Sequence, residues 1–217
     1  MSDLHTLTLV KEDQRDHQWE EVFFHTLADS NISILSEEPQ MGPDGWPYLL
    51  AKTTGPSDSE PSQKVIQWAA SKGIGLVINP EKDYPDYVFT YGMLWNFRKT
   101  GRFLSANSPL PTSLSQLSPM EIQTGGIWKG QPAPDYLPSD VRSILRDFFR
   151  DQSIVQPKIL MISTDQKNYD LAFSIESLGN PPEKEHQGIL EALSWFLPPH
   201  YALALVSEQA IQGFEPL

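Results

Sequence analysis

Glycine, lysine and threonine occur in this chain at spacings that resemble parts of nucleotide-binding and catalytic motifs, and each of these motifs is incomplete. Gly73-Ile74-Gly75 lacks the third glycine of the dinucleotide-binding motif, and no Gly-x-x-x-x-Gly-Lys-Ser/Thr phosphate loop occurs. Lys99-Thr100-Gly101 matches a short box of the serine β-lactam enzymes, but the Ser-x-x-Lys that supplies their nucleophile is absent. We interpret Gly101 as the end of a helix.

The sequence contains histidines that could bind a metal ion, but they do not have the spacing of metal ligands. A zinc site needs three or four converging ligands, usually including histidine or cysteine. The chain has no cysteine, and no two of its histidines are four residues apart. These histidines are His5, His17, His25, His186 and His200. We expect no metal site and interpret the histidines as solvated or capping residues, with His200 exposed to water at its Pro-Pro corner.

Paired carboxylates could perform general acid–base catalysis if burial separated their pKa values. The candidates are Glu20-Glu21, Glu37-Glu38 and Asp83 with Asp86. In a chain with 28 acidic side chains we interpret them as solvent-exposed. The sequence therefore predicts a non-enzymatic protein without a cofactor.

Aromatic and basic side chains concentrate between Tyr84 and Phe103. Seven of the aromatic residues lie in this range, although the whole chain has only six Trp, seven Tyr and ten Phe. Aromatic and arginine side chains dominate binding hot spots because they bury a large area at little entropic cost. The candidate partner-binding residues are Tyr87, Phe89, Tyr91, Trp95, Arg98, Lys99 and Arg102.

The same range admits a structural interpretation. Its apolar residues Tyr87, Phe89, Met93, Leu94 and Phe97 could fill the core of the N-terminal half, while the basic residues complement the negative end of a helix. Both interpretations can hold together if Trp95 and the tyrosine hydroxyls lie on the open side.

Charge and composition narrow the classes of partner. The chain carries 16 Lys and Arg against 28 Asp and Glu, a formal net charge of −12. Such a charge repels phosphate backbones and anionic lipids, so we expect no nucleic acid and no membrane as partners. The longest apolar runs, such as Tyr201 to Val206, are too short to span a bilayer. Met1 to Val10 lacks the pattern of a secretory signal, and we expect a cytoplasmic protein.

Proline defines the organisation of the chain. Six of the 19 prolines fall between Ser105 and Pro138, and so many argue against a packed helix there. We predict a connector rich in Pro, Ser and Gly over 108–135, between modules at 1–107 and 136–217.

Hydrophobic periodicity predicts the same element order in both modules. In the first, a helix at 16–28 precedes strands at 32–35 and 46–52, a helix from Pro61 to Gly73 and a strand at 74–78. In the second, a helix at 140–151 capped by Ser139 precedes a hairpin of strands 158–163 and 169–175, a helix at 183–196 and a strand at 201–206. We therefore predict an α/β (α+β) protein built from two small αββαβ modules.

Two corners of the chain carry a family resemblance. Leu137-Pro138-Ser139-Asp140-Val141-Arg142, together with Leu197-Pro198-Pro199-His200-Tyr201-Ala202-Leu203, resembles the C-terminal domain of the SseB (enhanced serine sensitivity) family. Gly73-Ile74-Gly75-Leu76-Val77-Ile78-Asn79-Pro80 is similar to a corner of that family's N-terminal domain. The resemblance implies a bacterial cytoplasmic protein and supplies no catalytic signature. The segment from Tyr84 to Phe103 does not match the family pattern.

These observations favour an interaction or adaptor protein whose protein partner and oligomeric state the sequence does not identify. One alternative is a sensor or enzyme for a small polar metabolite, such as an amino acid, in a cleft between the modules. Another is an accessory factor or chaperone of a secretion system.

Overall fold

The computed structural model describes residues 3–53, 59–105, 118–122 and 125–217. The chain divides into two compact units, Met1–Leu104 and Ser105–Leu217. Each unit combines helices with one mixed sheet, which confirms the predicted α+β class. None of the helices in the described ranges has the length and apolar character that crossing a membrane requires.

The first unit contains four α-helices and six strands within its described residues. They are α1 Leu4–Thr8, α2 His17–Ala28, β1 Asn31–Ile34, β2 Gln40–Met41, β3 Pro47–Lys52, β4 Glu60–Pro61, α3 Ser62–Lys72, β5 Gly75–Ile78, β6 Tyr87–Phe89 and α4 Tyr91–Thr100. The five predicted elements correspond to α2, β1, β3, α3 and β5. The predicted helix stops are also found, because Gly73 and Gly101 end α3 and α4 in the left-handed conformation.

The second unit contains two α-helices and six strands within its described residues. They are β7 Ser118–Ile122, β8 Gly125–Gly130, α5 Ser139–Asp151, β9 Lys158–Ser163, β10 Asp170–Ser174, α6 Glu183–Phe196, β11 Ala202–Val206 and β12 Glu215–Pro216. The predicted hairpin is confirmed, since β9 pairs with β10 in antiparallel register. The predicted cap at Ser139 is wrong: α5 begins at Ser139, and Pro138 occupies the capping position without a side-chain cap.

The two units share the pairing of three strands, whereas the remaining strands of each sheet are arranged differently. In the first sheet, of order β4-β1-β3-β5-β6, β1 pairs antiparallel with β3 and β3 pairs parallel with β5. In the second, of order β11-β10-β9-β8-β7, β9 pairs antiparallel with β10 and β10 parallel with β11. A helix connects each parallel pair, as a crossover between parallel strands requires. The repeated element order thus corresponds to a repeated pairing pattern.

The predicted connector differs from what the structure shows. Strands β7 and β8, which fall within 108–135, join the second sheet next to β9. Pro119 lies in β7 at the edge of that sheet, a position where proline is tolerated. The rest of the predicted connector up to residue 117, and residues 123–124, lie outside the described residues.

Candidate functional site

The structure buries three of the seven predicted partner-binding residues. Phe89 and Tyr91 are 0% exposed and Trp95 is 2% exposed. Such side chains offer no surface to a partner in this conformation. The expectation that Trp95 lies on the open side is therefore wrong, and these three residues follow the structural interpretation.

Tyr87 belongs to an aromatic cluster against α2. Its ring stacks on Phe23 with centroids 5.7 Å apart and meets the edge of Phe24 at 5.1 Å. The Tyr87 hydroxyl donates a hydrogen bond to the Glu20 carboxylate. Burial, followed by this carboxylate, raises the pKa of Tyr87 above its ordinary value. Tyr87 is thus half-buried and already partnered on this side of the sheet.

The predicted basic residues lie at the end of α4 and just beyond it. Arg98 and Lys99 are in its last turn, and Arg102 follows Gly101. Lys99 and Arg102 are exposed and Arg98 is half-buried. Cations at this end complement the helix dipole, as the structural interpretation expected. The structure does not combine them with the buried rings of Phe89, Tyr91 and Trp95 into one exposed surface.

The face of the first sheet opposite the Tyr87 aromatic cluster carries a row of aliphatic side chains. The row crosses four adjacent chain segments. Val88 pairs with Val77, and Val77 with Leu50. The Leu35 amide donates to the Leu50 carbonyl at 2.9 Å, which extends the β1–β3 pairing by one residue. Directly paired residues share a face of the sheet. We call these residues, Leu35, Leu50, Val77 and Val88, the apolar row.

The apolar row lies on the face away from α2. Tyr87 and Phe89 point toward α2, and side chains alternate along a strand, so Val88 points the other way. At three interstrand spacings of about 4.8 Å, the row extends roughly 15 Å. Its ends are open, with Leu35 43% and Val88 42% exposed. Between these ends the row is more covered, since Leu50 is half-buried and Val77 is buried.

A buried ion-pair network fixes the end of the sheet beside Val88. The Asp86 carboxylate lies 2.6 Å from Arg15 Nη2 and 2.6 Å from Lys82 Nζ. It also accepts a 2.6 Å hydrogen bond from the Asn79 amide. Burial alone would raise the pKa of Asp86, but the hydrogen bonds from Lys82, Asn79 and Arg15 outweigh it and hold that pKa below its usual range.

The network connects three strands at one end of the sheet. Asn79 follows β5, and its Oδ1 accepts a 2.9 Å hydrogen bond from the Thr53 amide that follows β3. Asp86 precedes β6, and its amide donates to the Ile78 carbonyl at 2.9 Å. Because β3, β5 and β6 are held together here, Leu50, Val77 and Val88 keep a fixed register.

Two side chains interpreted as solvent-exposed are covered to different degrees: Asp86 is buried, and His200 is half-buried. The Asp86 side chain is 1% exposed, whereas its neighbour Asp83 remains exposed. Both ring nitrogens of His200 are buried, with no hydrogen-bond partner in the part of the chain described here. The described residues contain no group of three or more His, Asp or Glu arranged to hold a metal ion.

Acidic residues are exposed in the segments that follow Leu35 and β5, next to the apolar row. Glu37 and Glu38 are exposed just after Leu35, and Glu81 and Asp83 are exposed in the loop that follows β5. Lys52 is on the same face, 3.3 Å from the Glu81 carboxylate, and Lys82 is exposed in the loop after β5, where its Nζ lies 2.6 Å from the Asp86 carboxylate. Residues 1–107 together hold nine basic and 15 acidic side chains. The rim of the row is therefore negative.

Sequence reasoning did not select the apolar row because each of its residues resembles ordinary core. Leu50 and Val77 lie in predicted strands, and Val88 lies between two aromatic residues. The sequence Tyr87-Val88-Phe89 alternates aromatic and aliphatic residues with the period of a strand. This pattern predicts that Val88 lies on the opposite face of the strand from Tyr87 and Phe89. Only the pairing of β5 with β6 aligns Val88 with Val77 and Leu50.

Comparisons with family models, with curated proteins and with solved structures find no match to this chain. The resemblance to the SseB family consequently stays a prediction from the sequence.

Proposed function

We propose that this is a non-enzymatic interaction or adaptor protein that binds a protein partner through the apolar row. The single observation that carries the proposal is the in-register line of Leu35, Leu50, Val77 and Val88 on a sheet face, open at both ends. The partner is a protein segment with aliphatic or aromatic side chains at its centre and basic side chains on its flanks.

The chemistry of the row accounts for this choice of partner. Burying a fully exposed Leu or Val side chain contributes about 1.5–3 kcal/mol. Leu35 and Val88 are 43% and 42% exposed, so covering each of them contributes somewhat under half of that. The acidic rim attracts a basic segment and repels an acidic one. Because hydrogen bonds at the Asp86 network already fix the strands, little ordering of the backbone accompanies binding.

A bacterial, cytoplasmic setting completes the proposal, and fractionation of host cells tests the location. The metabolite sensor and the secretion accessory factor remain alternatives from the sequence. A partner that proves to be a secreted substrate protein would favour the accessory factor over a general adaptor.

The test uses two variants that place a charge on the row and one matched control. Val88→Asp and Leu35→Asp alter the ends of the row. Val22→Asp alters a valine of nearly equal exposure, 40%, on α2. Proteins captured from host lysate by the wild type are purified, and their direct binding to all four chains is measured by calorimetry.

We expect Val88→Asp and Leu35→Asp to weaken binding at least about tenfold, which corresponds to about 1.4 kcal/mol, while Val22→Asp binds like the wild type. The affinity should also fall as salt is added, because the acidic rim contributes by charge. Circular dichroism confirms that each variant is folded. Equal binding by Val88→Asp and Val22→Asp would overturn the proposal.

A further inference from the structure

Strand β11, at one end of the second sheet, has the composition of an interior strand. Its sequence, Ala202-Leu203-Ala204-Leu205-Val206, is apolar throughout. Strands that are covered on both faces inside a sheet are continuous apolar runs of this kind. Among the described residues, however, β11 pairs only with β10. Within that part of the chain its other edge is open to a further strand.

The other sheet ends carry features that prevent pairing with a further strand, and β11 does not. Natural edge strands avoid such pairing by being short or by carrying proline or charge. In the first sheet β4 consists of Glu60 and Pro61, and β6 has three residues. In the second sheet β7 contains Pro119 and Glu121. Strand β11 is five residues long and has neither proline nor charge.

The open edge of β11 presents the backbone groups of Leu203 and Leu205. The Ile175 amide donates a 3.1 Å hydrogen bond to the Val206 carbonyl, so Val206 faces β10. Backbone groups of successive residues point to opposite sides of a strand, so Ala204 also faces β10 and the two leucines face away from it. Neither leucine has a backbone hydrogen-bond partner on that side among the described residues.

These backbone groups match a second copy of the same strand in antiparallel orientation. When a two-fold axis passes beside Ala204, Leu203 lies opposite Leu205 of the second copy, and Leu205 lies opposite its Leu203. Each of these pairs exchanges two backbone hydrogen bonds, so four bonds form. Ala204 then faces Ala204 of the second copy in a non-hydrogen-bonded pair, where the Cα atoms are only about 4.5 Å apart and a small side chain fits.

The side chains of β11 match a second copy on both faces of the strand. Leu203 and Leu205 share a face with Leu171 and Phe173, which are 0% exposed, so the leucine pairs extend the core of this unit. On the other face Ala204 packs against a buried apolar cluster. An added strand must therefore be apolar on both faces, as β11 itself is.

We propose that two copies of this chain associate through antiparallel pairing of their β11 strands about a two-fold axis at Ala204. The second sheets of the two copies then form one continuous sheet, in which β11 is an interior strand. Five residues from each copy make a small contact, so the association is weak and reversible. This surface is in the second unit and is independent of the proposed partner-binding row in the first.

The experiment uses cysteine cross-linking of the full chain, which has no cysteine of its own. Ala204→Cys places two thiols opposite each other, at a Cα separation of about 4.5 Å that a disulfide accepts. Ala210→Cys, at a more exposed alanine outside the strand, is the matched control. Leu205→Pro, made alone and together with Ala204→Cys, removes an amide hydrogen that faces the open edge and does not bond to β10. Sedimentation of the wild type and of Leu205→Pro at up to about 1 mM measures association without a cross-link.

We expect Ala204→Cys to form a covalent dimer at least about tenfold faster than Ala210→Cys, because pairing raises the effective concentration of its thiols. Leu205→Pro should remove this excess and keep the chain monomeric. Added salt should strengthen the dimer of the wild type, since each copy has a formal net charge of −12. Salt has the opposite effect on the proposed partner binding, so the two proposals can fail separately.

Circular dichroism checks the fold of each variant. If Leu205→Pro fails to fold, the two cysteine variants decide the outcome. Equal cross-linking rates of Ala204→Cys and Ala210→Cys, or a wild type that stays monomeric up to about 1 mM, would contradict the proposal.

Discussion

Arg15 and Asp86 form an ion pair across 71 positions of sequence, with the guanidinium Nη2 2.6 Å from the carboxylate Oδ1. Arg15 also donates hydrogen bonds to the carbonyls of Val10 and Asp86, at 3.0 and 3.1 Å. Its guanidinium lies 4.6 Å from the centre of the Trp19 ring. One arginine therefore connects the N-terminal segment, α2 and the start of β6.

Replacing Asp86 should destabilise the first unit strongly. Asp86→Asn removes the charge that compensates Arg15 and Lys82, and breaking a buried ion pair costs about 3–5 kcal/mol. Urea unfolding measures the loss of unfolding free energy. Asp83→Asn, in the same loop but exposed, is the control and should change stability by less than about 0.5 kcal/mol. Equal effects of the two substitutions would show that the network does not support the fold.

The stability of the protein should depend on pH through His200. Burial lowers the pKa of the His200 imidazole, because desolvation penalises the charged form. An unfolded histidine titrates at about 6.5. The unfolded chain then binds a proton before the folded one, so this contribution is complete above about pH 6.5 and is lost as the pH falls further.

His200→Phe tests the histidine prediction because it keeps a ring beside Tyr201, which lies 4.9 Å from the His200 ring, and does not titrate. Thermal unfolding is followed in both chains from about pH 7.5 to pH 5, across the titration of an unfolded histidine. The wild type should lose more stability than the variant over this range. Parallel losses would assign the pH dependence to other groups.

Gly75 should not tolerate a side chain. A Cβ at this position would lie 2.6 Å from the Tyr48 ring and 2.7 Å from the Phe89 carbonyl oxygen. Gly75→Ala should cost about 1–3 kcal/mol, since the backbone oxygen cannot move freely. In Gly188→Ala the new Cβ meets nothing within 4 Å, and the change should stabilise α6 by about 0.5–1 kcal/mol. Calorimetric melting of both variants would contradict this account if the two shifts had the same sign.

A substitution at Tyr87 tests whether this residue of the predicted aromatic segment belongs to the core or to a binding surface. Tyr87→Phe removes only the hydroxyl that donates to Glu20, and losing a hydrogen bond to a charged group costs about 1.5–3 kcal/mol. We expect lower stability and unchanged affinity for a partner that binds the apolar row. If partner binding falls while denaturant stability holds, Tyr87 would belong to the binding surface after all.

The sequence predicted individual helices and strands correctly where a capping residue, a helix-ending glycine or an apolar alternation was present. Asp16 caps α2, where its carboxylate accepts a 2.8 Å hydrogen bond from the Trp19 amide, and Gly73 ends α3. Alternation of apolar residues indicated β10. Strands β7 and β8 were not recognised, because proline and glycine in their sequence indicate a loop and only pairing with β9 gives the segment its strand partners.

For the candidate sites too, the sequence determined some properties and the tertiary structure determined others. The residue types, the negative charge and the aromatic segment were fixed by the sequence, and with them the expectation of a protein partner. The tertiary structure decided which side chains are buried and which are exposed. It buries Trp95 and leaves Val88 open, and it places β11 at the end of its sheet. The physical reason is that burial and interstrand register depend on contacts between residues distant in sequence, which local periodicity does not encode.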